Sequence, residues 1–320
     1  MKIIKITENE QNQRYDRFLK KYLHNAPLSI IYKIIRKDAK VNKKRAKENT
    51  ILMLNDEITL YLKDEDLEKW TARKAKVRAK KQFDVVFEDD NILVVNKPYG
   101  LLTHGDATEK KNHLTNQVIT YLIETGAYVP RVEKTFTPAS VNRLDRNTSG
   151  LVIFGKSNMA LQSLNKLMKN KERIKKYYIT MVANTLEEEI HLKGNLSKME
   201  NKNMVSIDGD GNGKFIETIA KPIRSSNNFT LVEVELLTGR THQIRAHLAD
   251  AGHPLIGDTK YGSRRINDIM KRKYSLSSQF LHAYKLEFAD IDGPLSYMNN
   301  KKIEIKLPDR LEKIKNDILN

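Results

Sequence analysis

The apolar positions divide the chain into three stretches of different character. From Arg14 to Leu23, Phe18, Leu19, Tyr22 and Leu23 recur at helical spacing. Pro27 separates that helix from a second, with Ser29 as its expected N-cap and Ile30, Ile31, Ile34 and Ile35 as its buried face. A short strand is expected from Ile51 to Leu54 and, after the turn Asn55-Asp56, another from Glu57 to Leu62. The pattern then vanishes: Lys63-Asp64-Glu65-Asp66 gives way to a basic run from Arg73 to Lys81, which reads as a solvated tether. The expected division is a small α/β unit over residues 1–62, a charged linker over 63–82 and a large domain over 83–320.

The large domain opens with a hairpin pattern, Phe83 to Phe87 and Ile92 to Asn96, closed by Lys97-Pro98-Tyr99-Gly100. A helix is expected around Leu114 to Thr125. A polar string, Val141 to Ser149, runs into Leu151-Val152-Ile153-Phe154, a buried strand bounded by Gly150 and Gly155. Ser157 caps a helix whose stripe is Ala160, Leu161, Leu164, Leu167 and Met168. Further strands are expected near Lys176 to Val182, Met199 to Ile207, Thr218 to Ile223, Phe229 to Leu237 and Leu281 to Phe288. One helix interrupts them, His242 to Ala251, capped by Thr241 and stopped by Gly252 and Pro254. Asp208-Gly209-Asp210-Gly211-Asn212-Gly213 lacks the later acidic ligands of a calcium loop and reads as a hairpin tip.

Lys plus Arg number 57 against 40 Asp plus Glu, a formal charge of +17, which predicts an anionic partner, nucleic acid first. No apolar run approaches the roughly 20 residues that span a bilayer, so a membrane partner is not expected. The absence of cysteine removes disulfides and Cys-based metal sites, and the first residues carry no signal-peptide pattern. A cytoplasmic protein is expected.

Three stretches carry chemistry. In Arg143-Leu144-Asp145-Arg146-Asn147-Thr148-Ser149-Gly150 one carboxylate sits between two arginines on a loop beside a rigid strand. Alone, that is equally a surface ion-pair cluster. In Gly239-Arg240-Thr241-His242-Gln243-Ile244-Arg245-Ala246-His247 a strand passes into a helix start, where backbone N–H groups suit phosphate and Arg245 is held on a rigid turn. His242 and His247 taken alone read as helix-surface or packed imidazoles, and with no cysteine or paired acidic ligand nearby no metal is expected, but the string as a whole is too polar for simple packing and implies something anionic or catalytic. In Lys175-Lys176-Tyr177-Tyr178 adjacent tyrosines point to opposite faces of a strand, so one of them enters a cleft or the core.

Residues 14–62 resemble the S4 RNA-binding domain: Arg14-Tyr15-Asp16-Arg17-Phe18-Leu19, a basic helix, and Lys40-Val41-Asn42-Lys43-Lys44, with Asn55-Asp56 in place of the usual Gly-Asp. In order, the three chemistry-bearing stretches resemble the RluA-type pseudouridine synthases, most closely their RluC-like ribosomal branch, over nearly the whole chain from Arg14 to Phe288. That family's pattern is His-Arg-Leu-Asp-Arg-x-Thr-Ser-Gly, then Lys-x-Tyr, then Gly-Arg-x-His-Gln-Ile-Arg-x-His. Asn142 stands where the family has its leading His, and Ala289-Asp290 where it has His-Pro.

The resemblance implies an α+β fold, a mixed, mainly antiparallel β-sheet core flanked by helices, preceded by the small S4 unit. It implies Asp145 as the catalytic aspartate, Tyr177 as the active-site tyrosine and Arg245 as the aspartate's partner. Arg143, Arg146, Arg240, Lys33, Arg36, Lys37, Lys43, Lys44 and Arg45 are then expected to contact RNA. The implied reaction breaks the uridine C1′–N1 bond, turns the base and joins C1′ to C5. It is redox-neutral, so no cofactor and no metal are expected. The implied substrate is 23S ribosomal RNA or its assembling large-subunit particle, met by a monomer; transfer RNA and small-subunit RNA are the alternatives. A non-catalytic RNA-binding protein would account for the charge but not for the three ordered stretches. A carbohydrate hydrolase would need a second carboxylate near the first.

Overall fold

The computed structural model describes residues 1–72, 79–130, 135–198, 204–208, 213–226 and 228–320. The first unit contains strand β1 (Lys2–Lys5), helices α1 (Tyr15–Tyr22) and α2 (Leu28–Lys33), and strands β2 (Ala39–Val41) and β3 (Glu57–Leu60), with the sheet order β1-β3-β2. Its core joins Phe18, Leu19 and Leu23 of the first helical stretch to Ile31, Ile34 and Ile35 of the second, as the spacing requires.

Details differ from the sequence expectation for local reasons. Ser29 lies inside the first turn of α2, because the Pro27 carbonyl already accepts from the Ile30 and Ile31 N–H groups at 3.0 and 3.1 Å. The chain then continues as a wider π-type turn over Ile34–Asp38. Residues 51–54 form only a bridge, Ile51 to Arg14, with Leu52 exchanging bonds with Asn12 and Gln13 in the loop before α1. Asn55 does adopt the left-handed conformation its turn needs, at φ 69°.

The expected linker is corrected over its first half. Residues Asp64–Thr71 form helix α3, with three acids in its first turn, where they favour the helix dipole. Leu67 and Trp70 pack on the first core, and the Asn25 side-chain amide donates to the Ala72 carbonyl at 2.8 Å. Much of the basic half, residues 73–78, lies outside the described residues.

Among the described residues the second unit is built on one eleven-stranded sheet. Its strands are β4 (Asp84–Glu88), β5 (Ile92–Lys97), β6 (Ala139–Ser140), β7 (Ser149–Gly155), β8 (Ile174–Ala183), β9 (Ile190–Lys198), β10 (Val205–Asp208), β11 (Lys214–Ser226), β12 (Phe229–Leu236), β13 (Leu281–Phe288) and β14 (Lys302–Glu304). The main path runs β10-β9-β11-β12-β8-β13-β7-β5-β4, with β14 on β13 and β6 on β7. Every pairing is antiparallel except β13 with β7. Helices α4 (Leu114–Glu124) and α6 (Gln243–Asp250) cover one face through Leu114, Val118, Leu122, Ile244 and Leu248. The other face is covered by α5 (Asn158–Leu167), α7 (Arg264–Tyr274) and α8 (Asp309–Leu319) through Ala160, Leu164, Met270, Leu311 and Ile314. This is the expected α+β sheet flanked by helices. β6, β9, β14, α7 and α8 are absent from the sequence expectation; residues 199–203 of the expected strand Met199 to Ile207, and residues 209–212 of the expected hairpin tip, lie outside the described residues. No helix among the described residues is long and apolar enough to cross a membrane.

Candidate active site

The loop 142–148 between β6 and β7 carries Asp145, and four neighbours fix its shape. Asn142 accepts the Ile153 N–H at 2.9 Å and donates to the Leu151 carbonyl at 3.1 Å, so the residue standing in for the family His fastens the loop to β7. Thr103 accepts the Leu144 N–H at 3.1 Å and returns its hydroxyl to the Leu144 carbonyl at 2.9 Å. Lys97, fully buried, donates to the carbonyls of Pro98, Leu101 and Arg146 at 3.1, 2.7 and 3.1 Å, three acceptors for three ammonium protons. Burial pushes Lys97 down to about 7, with the charge of Asp145 opposing. Gly150 is required by the parallel junction: a Cβ there would meet the Ala283 carbonyl oxygen of β13 at 2.1 Å.

The opposing wall is the start of α6. Thr241 is not its cap. His242 takes that position in a left-handed conformation, φ 55°, and the Gln243 side chain secures the turn. Gln243 Oε1 accepts from the Arg240 N–H at 3.1 Å and the Thr238 hydroxyl at 2.9 Å, while Nε2 donates to the Glu217 carbonyl and Thr218 hydroxyl, each at 3.0 Å. One turn on, Arg245 donates to both oxygens of Asp258, Nε at 2.6 Å and Nη2 at 2.8 Å, and directs Nη1 to Asp145 Oδ2 at 3.0 Å. The Asp258 side chain has no exposure and that of Arg245 only 6%. Burial alone would lower the Arg245 pKa, but the bonds and charges of Asp258 and Asp145 outweigh it and raise it. Burial of Asp258 is likewise outweighed by the guanidinium, which holds its carboxyl below the usual range.

These walls enclose a cavity of about 570 Å³ lined by Asp145, Arg143, Arg240, His242, Lys176 and Tyr178, among others. Tyr177 is not among the lining residues, and this corrects its expected role. Alternation along β8 sends Tyr177 to the opposite face, where Lys285 Nζ lies 3.9 Å from its ring centre. Tyr178, 6% exposed, faces the cavity, and burial together with the charge of Asp145 raises its hydroxyl pKa. The Lys-x-Tyr pattern fits this chain in two registers, Lys175 to Tyr177 and Lys176 to Tyr178, and the second is the one at the site. Burial lowers the pKa of Lys176 on the same wall.

The structure therefore brings Asp145, Arg245, Arg143 and Arg240 together. Arg146 is exposed on the Asp145 loop. Lys33, Arg36, Lys37, Lys43, Lys44 and Arg45 are all exposed on the first unit. Four site residues went unassigned from sequence: Tyr178, Lys97, His242 and Asp258. Lys97 lies in a string that fits the family and His242 in the Gly-Arg-x-His motif, whereas Asp258, in Leu255-Ile256-Gly257-Asp258, carried no signal.

A family model described as RNA pseudouridylate synthase matches residues 91–250. The chain is 35% identical over 311 residues to an uncharacterized RNA pseudouridine synthase of Mycoplasma capricolum, covering 95% of this chain and 97% of that protein. It is 33% identical over 317 residues to the ribosomal large subunit pseudouridine synthase C of Vibrio vulnificus, covering 95% and 96%. Among solved structures, human RNA pseudouridylate synthase domain containing 4 superposes with a TM-score of 0.55 at 20% identity, over 72% of this chain and 93% of that one. The fold is thus that of the pseudouridine synthases.

Proposed function

Given that the chain belongs to the RNA pseudouridylate synthase family and is an RNA pseudouridine synthase, we propose that it isomerises uridines of large-subunit ribosomal RNA with Asp145 as the reacting carboxylate. The observation that carries the assignment is the line Asp258–Arg245–Asp145: a buried ion pair holds a guanidinium whose free edge meets one carboxylate at the wall of an arginine-lined cavity.

Breaking the C1′–N1 bond develops positive charge at C1′, as in glycoside cleavage, and a carboxylate beside it is the right group. Asp145 either attacks C1′ or removes a sugar proton to give a glycal-like intermediate. In both routes Arg245 fixes its orientation. Tyr178 lies against the detached uracil while it turns, and its raised hydroxyl pKa keeps it protonated and able to donate. Retention of the base separates isomerisation from simple formation of an abasic site. Because C1′ and C5 are inaccessible in a stacked helix, the uridine is flipped into the cavity at a cost of a few kcal/mol. Arg143 and Arg240 at the cavity, and Arg146 beside it, offset this through phosphate contacts.

The N-terminal unit acts, on this reading, as an S4-like RNA-binding module that presents Lys33, Arg36, Lys37, Lys43, Lys44 and Arg45 to the backbone of the same RNA. Its exposed cations and the chain's +17 charge support that role. The protein then works in the cytoplasm as a monomer, on the RNA or on the assembling large-subunit particle. The curated relative of Vibrio vulnificus, matched along nearly its whole length, supports the large subunit over transfer RNA. Mapping pseudouridines in ribosomal RNA from cells with and without the gene tests the target. Loss of specific large-subunit pseudouridines is expected, and an unchanged large-subunit map with losses in transfer or small-subunit RNA would overturn it.

A further inference from the structure

His242 is more than a packed imidazole. It stands at the mouth of α6 in a left-handed conformation that costs a non-glycine residue energy, and that backbone aims the ring at the catalytic loop. Its Nε2 lies 3.8 Å from Asp145 Oδ2, the oxygen that also takes the Arg245 bond. Its other nitrogen, Nδ1, lies 3.1 Å from the Tyr261 hydroxyl, with the two rings edge to face at 5.7 Å. The Tyr261 oxygen accepts the Val205 N–H of β10 at 2.8 Å.

These contacts choose a tautomer. With the Val205 N–H already pointing at its oxygen, the phenol directs its own proton to Nδ1, and a neutral imidazole whose Nδ1 accepts carries its proton on Nε2. The reverse tautomer would turn a bare Nε2 lone pair toward a carboxylate oxygen. Burial lowers the pKa of the ring and so favours its neutral form, with the charges of Asp145 and Asp258 opposing and those of Arg245 and Lys260 reinforcing. The groups facing it are Asp145, Arg245, Asp258, Lys260 and Tyr261.

We infer that His242, set by Tyr261 in its Nε2–H form, is a positioning residue that secures Oδ2 of Asp145 together with Arg245 and so leaves Oδ1 as the oxygen that meets the substrate. The 3.8 Å separation is longer than a hydrogen bond and closes when RNA fills the cavity, as catalytic contacts do on forming the complex. The inference rests on Asp145 being the reacting carboxylate.

Two amide substitutions separate reach from backbone tolerance. His242→Gln places an N–H near the position of Nε2. His242→Asn suits the left-handed backbone better but stops short of Asp145. With a uridine-containing RNA hairpin under single-turnover conditions, His242→Asn is expected to lower the rate roughly tenfold to a hundredfold with RNA affinity unchanged. His242→Gln is expected to retain most of the rate. Long-range proton–nitrogen NMR of the full chain is expected to show a protonated Nε2 and a bare Nδ1 on His242, and a mixed tautomer in Tyr261→Phe. An Asn variant as fast as the wild type, a Gln variant as slow as Asn, or an Nδ1–H tautomer in the wild type would overturn the inference. The NMR readout needs no turnover, so it stands or falls apart from the assignment of Asp145.

Discussion

Asp258 grips Arg245 through two bonds of 2.6 and 2.8 Å, and Arg245 extends its remaining edge to Asp145 at 3.0 Å. The fork geometry is what allows one side chain to serve two carboxylates, and a lysine cannot reproduce it. Arg245→Lys is therefore expected to lower the single-turnover isomerisation rate about a hundredfold, with RNA affinity little changed. Asp258→Ala leaves a buried guanidinium without its main partner. A stability loss of roughly 3 to 5 kcal/mol is expected, read from urea unfolding.

Tyr177 and Tyr178 offer a contrast within two residues. Tyr178 lines the cavity and Tyr177 lies beneath Lys285 on the other face of β8. Tyr178→Leu is expected to reduce product formation by at least tenfold in a single-turnover assay, removing the aromatic surface and hydroxyl beside the turning base. Tyr177→Leu is expected to stay within about threefold of the wild type, consistent with a residue that touches no reacting atom. The opposite ranking would restore Tyr177 to the site.

The same pair shows how far the sequence could be read. Local periodicity is enough for α1, the β7 strand and the Ser157 cap, because each depends on residues within one or two turns. It is also enough to single out Asp145 and Arg245, which sit in long ordered strings. The face a strand residue presents depends on which neighbours the sheet supplies, so two tyrosines in adjacent positions were indistinguishable until β12 and β13 flanked β8. Asp258 meets Arg245 only through tertiary folding, 13 residues away in sequence and with no motif around it. α3 was hidden by its charge, since only Leu67 and Trp70 mark the side that packs.

His282, fully buried on β13 and bonded through Nδ1 to the Ser149 hydroxyl at 2.8 Å, gives folding a pH dependence. Burial, partly opposed by the Lys306 backbone, lowers its pKa from 6.5 to about 4. Between those values the unfolded chain takes up a proton that the folded chain refuses, so stability falls as pH drops through this window and is constant below it for this group. The loss is about 3 kcal/mol, at 1.36 kcal/mol per pKa unit. Urea unfolding between pH 7 and pH 4 is expected to show this loss in the wild type and a flatter profile in His282→Asn.

The exposed cations of the first unit are expected to act on affinity alone. Replacing Lys33, Arg36 and Lys37 together with Gln is expected to weaken RNA binding and to make its log–log salt dependence shallower by about 0.7 per lost phosphate contact. The single-turnover rate at saturating enzyme is expected to stay unchanged. An unaltered salt slope in filter binding would remove these residues from the RNA interface.

That Asp145 performs the chemistry, beyond pairing with arginine, is the expectation on which the others depend. It is tested most directly by incubating the Asp145→Asn enzyme with full-length large-subunit ribosomal RNA and measuring both binding and pseudouridine content. RNA affinity close to the wild type and no pseudouridine are expected. Pseudouridine at the wild-type rate from the Asn variant would contradict it.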